Sequence, residues 1–165
     1  KKFKNAYFNR FSNVWHHGDF AEIKKTKGFI IHGRSDTTLN PGGVRLGTAE
    51  IYSEVENFKE IKESIVVGQS WDNDVRIILF IVMNPKFSFN DHLVERIKKK
   101  IRKNASPRHV PNKIIEVKDI PRTKSGKIVE LAVKNVIEGN KIMNKEALAN
   151  PKALAQFNNL KDLNN

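Results

Sequence analysis

The chain of 165 residues contains no cysteine, so neither disulfides nor thiolate metal sites are open to it. Long apolar runs are missing as well. The longest spans residues 77–83, a length that suits a buried strand and falls far short of the roughly 20 residues a membrane helix needs. Residues 1–11, KKFKNAYFNRF, lack the continuous apolar core of a secretory signal, and a cytoplasmic setting is the default expectation. Acidic residues are also scarce, 18 against 30 Lys and Arg, leaving a net charge of +12. A surplus of that size points to anionic partners: nucleic acid, a membrane surface or phosphorylated small molecules. It is unevenly spread, since residues 90–135 carry thirteen basic and five acidic side chains. What remains is ordinary. Hydrophobic content of 39% and charged content of 29% are enough for one packed domain, or a small domain with an appendage.

Residues 1–34 read as short extended pieces at 14–15, 20–23 and 29–32, with a hairpin-like turn at 24–28. They are too few to make a core and look like the edge of something larger. A polar, Gly-bearing loop follows, GRSDTTLNPGGVRLG, which is either a surface linker or a hinge whose few residues absorb a large rotation. Thr48 is placed to cap a helix with Glu50 in its first turn and Ile51, Val55 and Phe58 inward. Strands are expected at 64–68 and 75–83, joined by the turn Trp71-Asp72-Asn73-Asp74, the second strand covered on both faces. Asn90 caps a helix that turns Leu93, Val94, Ile97 and Ile101 inward, with Lys98, Lys99, Lys100, Arg102 and Lys103 elsewhere, near its negative pole. A strand at 113–117 and a helix beginning after Ser125-Gly126, with Val129, Ala132, Val133 and Val136 on one face, complete the pattern. The tail EALANPKALAQFNNL has a weak helical period broken at Pro151. The expected class is α+β: a roughly three-stranded central sheet with flanking helices, preceded by a short β remnant. The expected divisions are 1–35 (the end of a larger N-terminal domain), 36–140 (a mobile α+β domain) and 141–165 (a weakly helical tail).

Three local patterns bear on chemistry. In PRTKSGKIVELAVKN, Arg122, Lys124 and Lys127 crowd the expected positive pole of the last helix, against the usual placement of acids there. Local rules tend to break at functional sites, and Lys127 on a compact Ser-Gly turn is the candidate for chemistry, with Arg122 and Lys124 as background field. KSGK is not a phosphate-binding Walker loop, because Pro121 and Ile128 stand where that motif needs Gly and Ser or Thr. In WHHGDFAEI, adjacent side chains of an extended segment point to opposite faces, so His16, His17 and Asp19 are not expected to share a metal. A turn carrying one functional carboxylate is the better reading.

Taken in order, HHGDFAEI, HGRSDTTLNPGGVRLGTAEIY and PRTKSGKIVELAVKN resemble the C-terminal part of adenylate-forming acyl-CoA synthetases, the relatives of acetyl-CoA synthetase and luciferase. The resemblance covers nearly the whole chain. It implies an enzyme that activates an acid, acetoacetate by overall likeness, with ATP and Mg2+ to an acyl-adenylate and pyrophosphate, after which CoA displaces AMP. It further implies a small C-terminal domain rotating between two poses. By the same resemblance, Asp19 holds the ribose hydroxyls, Arg34 and Arg45 face the nucleotide, Asp36 is the hinge, Gly43 borders the CoA tunnel, Arg102 contacts CoA phosphate and Lys127 is the adenylation lysine. The family's triphosphate loop and most of its acyl pocket lie in a large N-terminal domain that these residues do not include, so this stretch is expected to be silent alone and to need that domain as partner. An exposed Lys127 also implies control by a lysine acetyltransferase, since acetylation removes its charge.

A reading of another class is a basic nucleic-acid-binding module. The chain offers no GxxG clamp and no aromatic RNP-like strand, and residues 75–83 hold a single Phe. A pure interaction module with lost chemistry is disfavoured by Lys127, Asp36 and Gly43 all standing in place.

Overall fold

In the computed structural model, which describes residues 2–142 and 145–164, two separate sheets organise the chain. The smaller is the hairpin of β1 (Asp19–Ile23) and β2 (Phe29–Arg34), antiparallel, with Asp19 opposite Arg34 and Ile23 opposite Phe29. A short helix, α1 (Lys2–Tyr7), precedes it. The extended piece expected at 14–15 is not a strand. Trp15 instead stacks on Tyr7 with ring centroids 4.3 Å apart, so aromatic contact rather than sheet pairing positions it.

The larger sheet has the order β3-β4-β5. β3 (Ile61–Trp71) and β4 (Asp74–Met83) form an antiparallel hairpin closed by Trp71 opposite Asp74. Its two turn residues, Asp72 and Asn73, both have positive φ, the conformation that matches the twist of a two-residue hairpin. β5 (Lys113–Glu116) lies parallel to β4, reached through α3 (Asp91–Asn104). Side chains alternate cleanly. Ile65, Val67, Ile78, Phe80 and Val82 pack beneath α4 (Glu130–Ile137) and the tail residues Leu154 and Phe157. Val66, Ile77, Leu79 and Ile81 pack beneath α2 (Ala49–Val55) and α3. Phe157 meets Phe80 edge-on at 4.9 Å. Covered on both sides, the sheet presents no open platform, and β4 carries the continuous apolar run expected of a central strand.

Two expected helix starts differ in the structure. Thr48 has helical backbone angles and makes no side-chain cap; it is buried, with its hydroxyl against Gly33 of β2. The last helix begins at Glu130, later than its apolar period implies, because the bridge Arg122–Ile128 closes residues 122–128 into a hairpin turn. With an acid in its first turn, α4 obeys the charge rule. The other start is as read: the Asn90 side chain accepts from the Leu93 amide at 2.9 Å. Val94 is only half-buried.

The free edge of β3 is closed by side chains. The Tyr52 hydroxyl accepts from the Val66 amide at 3.0 Å and donates to Glu130 Oε1 at 2.6 Å. Glu138 accepts from the Ser70 amide at 3.0 Å. An edge blocked in this way cannot pair with another strand. The tail is likewise tied in: the Asn150 side chain accepts from the Arg122 amide and donates to Asp119 and the Ile120 carbonyl, and Pro151 opens a 3-10 turn, Pro151–Phe157.

Candidate functional site

Opposed at the mouth of the small hairpin, Asp19 and Arg34 face each other across the strands. Asp19 Oδ2 lies 2.6 Å from His17 Nδ1, and Oδ1 lies 3.7 Å from Arg34 Nη1. Arg34 donates to the His17 carbonyl at 2.9 Å and to both oxygens of Asp36 at 3.3 Å. Those bonds from Asp36 are the main reason the guanidinium holds its proton more tightly than usual. Gly18 makes the corner possible. Its φ is 91°, and a Cβ there would lie 2.7 Å from Arg34 Nη2. Its carbonyl accepts from the amide and hydroxyl of Ser35. Arg45 approaches the same hairpin from the next segment, its guanidinium 5.7 Å from the ring centroid of Phe20, which also packs on His32. Three of the expected residues (Asp19, Arg34 and Asp36) therefore gather around one polar, solvent-open corner that offers two carboxylates and a guanidinium, and Arg45 lies apart from it. Behind it, Glu50 joins β2 to the rest of the chain, bonding His32 at 3.1 Å and His109 at 2.6 Å.

Gly43 lies elsewhere, in the loop after β2. Paired Leu39 and Leu46, both buried, close the base of that loop. Its tip, Pro41–Gly43, is a single 3-10 turn with Gly42 and Gly43 at φ 57° and 75°, values that glycine reaches without penalty. A Cβ on Gly43 would meet nothing within 4 Å, so its face looks onto open space.

Lys127 occupies a third place. Thr123 receives the Lys127 amide on its hydroxyl and donates its own amide to the Lys127 carbonyl, at 3.1 and 2.8 Å. Gly126 supplies the left-handed turn at φ 84°. Arg122 reaches beneath the loop, donating to the Gly126 carbonyl at 3.1 Å and pairing with Glu63 of β3 at 2.8 Å. Reading Arg122 as background field is thus corrected: it braces the loop. The Lys127 side chain is exposed and makes no ion pair among the described residues, whereas Lys124 has no such bracing role. Arg102 stands exposed in the last turn of α3, apart from these groups. Among the described residues no group of three or more His, Asp or Glu is arranged to hold a metal ion, and no helix is long and apolar enough to cross a membrane. Of the residues missed in the sequence, Gly18, Tyr52, Asp74 and Arg122 work through partners distant in the chain, whereas the His17 side chain bonds Asp19 two residues on. Only His17 and Gly18, inside HHGD, have a local signal.

Residues 50–127 match the AMP-binding enzyme C-terminal domain, and the chain carries that domain over this stretch. Acetoacetyl-CoA synthetases are among the proteins it is similar to. It is 58% identical to the acetoacetyl-coenzyme A synthetase of Rhizobium meliloti (strain 1021), over 98% of this chain and 25% of the relative. It is 49% identical to acetoacetyl-CoA synthetase of Xenopus tropicalis, over 99% of this chain and 25% of the relative. The structure of acetoacetyl-CoA synthetase from Streptomyces lividans superposes with a TM-score of 0.88 at 37% identity, covering 99% of this chain and 25% of that one. The chain therefore spans about a quarter of the length of the relatives it matches.

Proposed function

We propose that the chain acts as the C-terminal part of an ATP-dependent acyl-CoA ligase, converting acetoacetate, ATP and CoA to acetoacetyl-CoA, AMP and pyrophosphate through an acyl-adenylate. ATP, as its magnesium salt, and CoA enter as substrates. The observation that carries this reading is the placement of two exposed loops on one rigid sheet. The Lys127 loop is tied to Glu63, near one end of β3, and the Gly43 loop lies at the Trp71–Asp74 turn at the other end. Trp71 lies eight residues along the strand from Glu63, a span of about 26 Å. Two loops so far apart on a rigid body cannot serve one small adenylate together, which is what a rotating domain with two working faces requires. Asp36, bonded to Arg34 just after β2, is the proposed hinge. Residues 1–35 belong with the adenylation domain in this reading, 36–140 form the moving unit, and the tail beyond 140 braces it.

In the adenylating pose, the Lys127 ammonium donates to the incoming carboxylate oxygen and the α-phosphate, where negative charge grows. Asp19 accepts from the ribose hydroxyls, while Arg34 and Arg45 balance phosphate charge. In the thioester-forming pose, Gly43 lines the path of the CoA thiol and Arg102 meets a CoA phosphate. The apolar hairpin residues Ile23, Phe29 and Ile31, all well exposed, are the surface that the large N-terminal domain of the same polypeptide covers. Lys127, exposed at its loop, is open to a lysine acetyltransferase, and acetylation would silence adenylation by removing the charge.

Half-reaction assays test the scheme in a whole synthetase carrying this chain as its C-terminal part. Lys127→Ala should slow acetoacetate-dependent pyrophosphate exchange by roughly 100- to 1000-fold, while CoA transfer from a supplied acyl-adenylate stays within several-fold of normal. Equal losses in both steps would overturn the assignment of Lys127. AMP production by the isolated 165 residues would overturn the dependence on a second domain.

A further inference from the structure

Asp74 is the first residue of β4, fixed at the tip of the tight Asp72-Asn73 turn. Its carboxylate takes the Gly42 amide on both oxygens, at 2.8 and 3.0 Å. Among the described residues the other bonds at that loop tip are local, with the Arg108 guanidinium alongside Gly42. The Leu39–Leu46 bridge closes its base, and the two backbone bonds within it, Gly43 to Asn40 and Val44 to Pro41, are 3.3 and 3.1 Å long. The bond to Asp74 is shorter than either and charge-assisted, the kind that is about twice as strong as a neutral one. It also comes from a different part of the fold, so it sets where the tip lies against the sheet. Gly42 and Gly43 are left-handed glycines with wide conformational freedom, so a tip without this anchor has many positions to visit. The anchor borders an open cleft of about 640 Å³ lined by Asn40, Gly43, Trp71 and Asp74.

We infer that Asp74 is a positioning residue for the CoA-dependent half-reaction, holding the Gly42-Gly43 tip in the one arrangement that leaves the thiol's path open. The inference rests on the reading of Gly43 given under Proposed function. Asp74 touches neither nucleotide nor acyl group in this scheme; it acts through the Gly42 amide. It lies at the opposite end of β3 from the Lys127 loop, so its influence is confined to one of the two steps.

The test uses a whole synthetase bearing this chain in place of the matching segment of the Rhizobium meliloti relative. Asp74→Ala removes the acceptor. Losing a hydrogen bond to a charged group should raise the KM for CoA, or slow transfer from supplied acyl-adenylate, on the order of 10- to 100-fold. Acetoacetate-dependent pyrophosphate exchange should stay within about two-fold, since 0.4 kcal/mol corresponds to that factor. Asp74→Asn keeps one oxygen for the Gly42 amide and should recover most of the CoA step. An Asp74→Ala enzyme with unchanged CoA kinetics overturns the inference. So does one in which both half-reactions fall together with thermal stability, because that marks a merely structural role. If the unsubstituted protein fails at pyrophosphate exchange itself, the ligase reading falls and takes this inference with it.

Discussion

Replacing Tyr52 with Phe removes one oxygen atom and should weaken the whole domain. The ring stays, so its packing against the core under α2 and α3 is little changed, but two partners lose their bond. The Val66 amide, on the edge of β3, loses its acceptor at 3.0 Å, and a buried amide left alone costs about 1–3 kcal/mol. Glu130 loses a donor at 2.6 Å; it is half-buried, so water replaces part of that bond. A total loss of about 2–3 kcal/mol at neutral pH is expected, which with a urea slope of about 1–3 kcal/mol/M moves the midpoint by roughly 1–2 M. The pH dependence is the sharper test. Burial, and then the charge and hydrogen bond of Glu130, push the Tyr52 hydroxyl well above its usual pKa. Below about pH 10 both folded and unfolded chains keep that proton; above it the unfolded chain releases it first, so stability falls as pH rises. The Phe variant lacks this loss. Urea unfolding of wild type and Tyr52→Phe, followed by circular dichroism, should therefore show a gap that is constant from pH 7 to 9 and narrows above about pH 10. Equal midpoints at neutral pH, or a gap that stays constant into strong alkali, would refute the reasoning.

Arg122→Ala releases the Gly126 carbonyl and leaves Glu63 unpaired. Pyrophosphate exchange in the whole enzyme should slow by about ten-fold, with stability changed by less than about 1 kcal/mol because the ion pair is partly exposed. Arg122→Lys should not restore the rate, since an ammonium cannot hold two partners in the same fork geometry. Gly18→Ala forces a residue with a side chain to φ 91° and drives a methyl toward Arg34 Nη2. Backbone strain alone costs about 1–3 kcal/mol, and calorimetry should find weakened nucleotide binding with an unchanged KM for CoA. Unaltered nucleotide affinity would show that Arg34 plays no part in that site.

Much of this was legible in the chain because periodicity is set by burial. The apolar run of β4 and the faces of α3 and α4 are read directly from spacing, since a covered strand and an amphipathic helix have few alternatives. Helix starts were harder. Thr48 looks like a cap in sequence, yet β2 buries it, and that contact depends on a strand in another sheet. The entrance to α4 looked like charge stacked on a positive pole because the apolar period runs back to Val129, while the Arg122–Ile128 bridge that delays the helix is invisible to period counting. The site divides in the same way. Asp19, Arg34, Gly43 and Lys127, the residues proposed for it, sit in contiguous motifs and can be named from them. Their supports, Arg122 through Glu63 and Asp74 through Gly42, are contacts across the fold, with no spacing rule to announce them.

The side-chain closure of the β3 edge also bears on modularity. With Val66 and Ser70 already engaged by Tyr52 and Glu138, the larger sheet offers only an interrupted row of amides along that side with which to recruit a second molecule. The small hairpin is the reverse, with Ile23 and Phe29 each 69% exposed. Removing the first 35 residues would discard the adhesive surface and keep the sealed one. What remains is a cassette that, on the proposed reading, one ligase could lend to another, carrying the Gly43 and Lys127 loops at fixed separation.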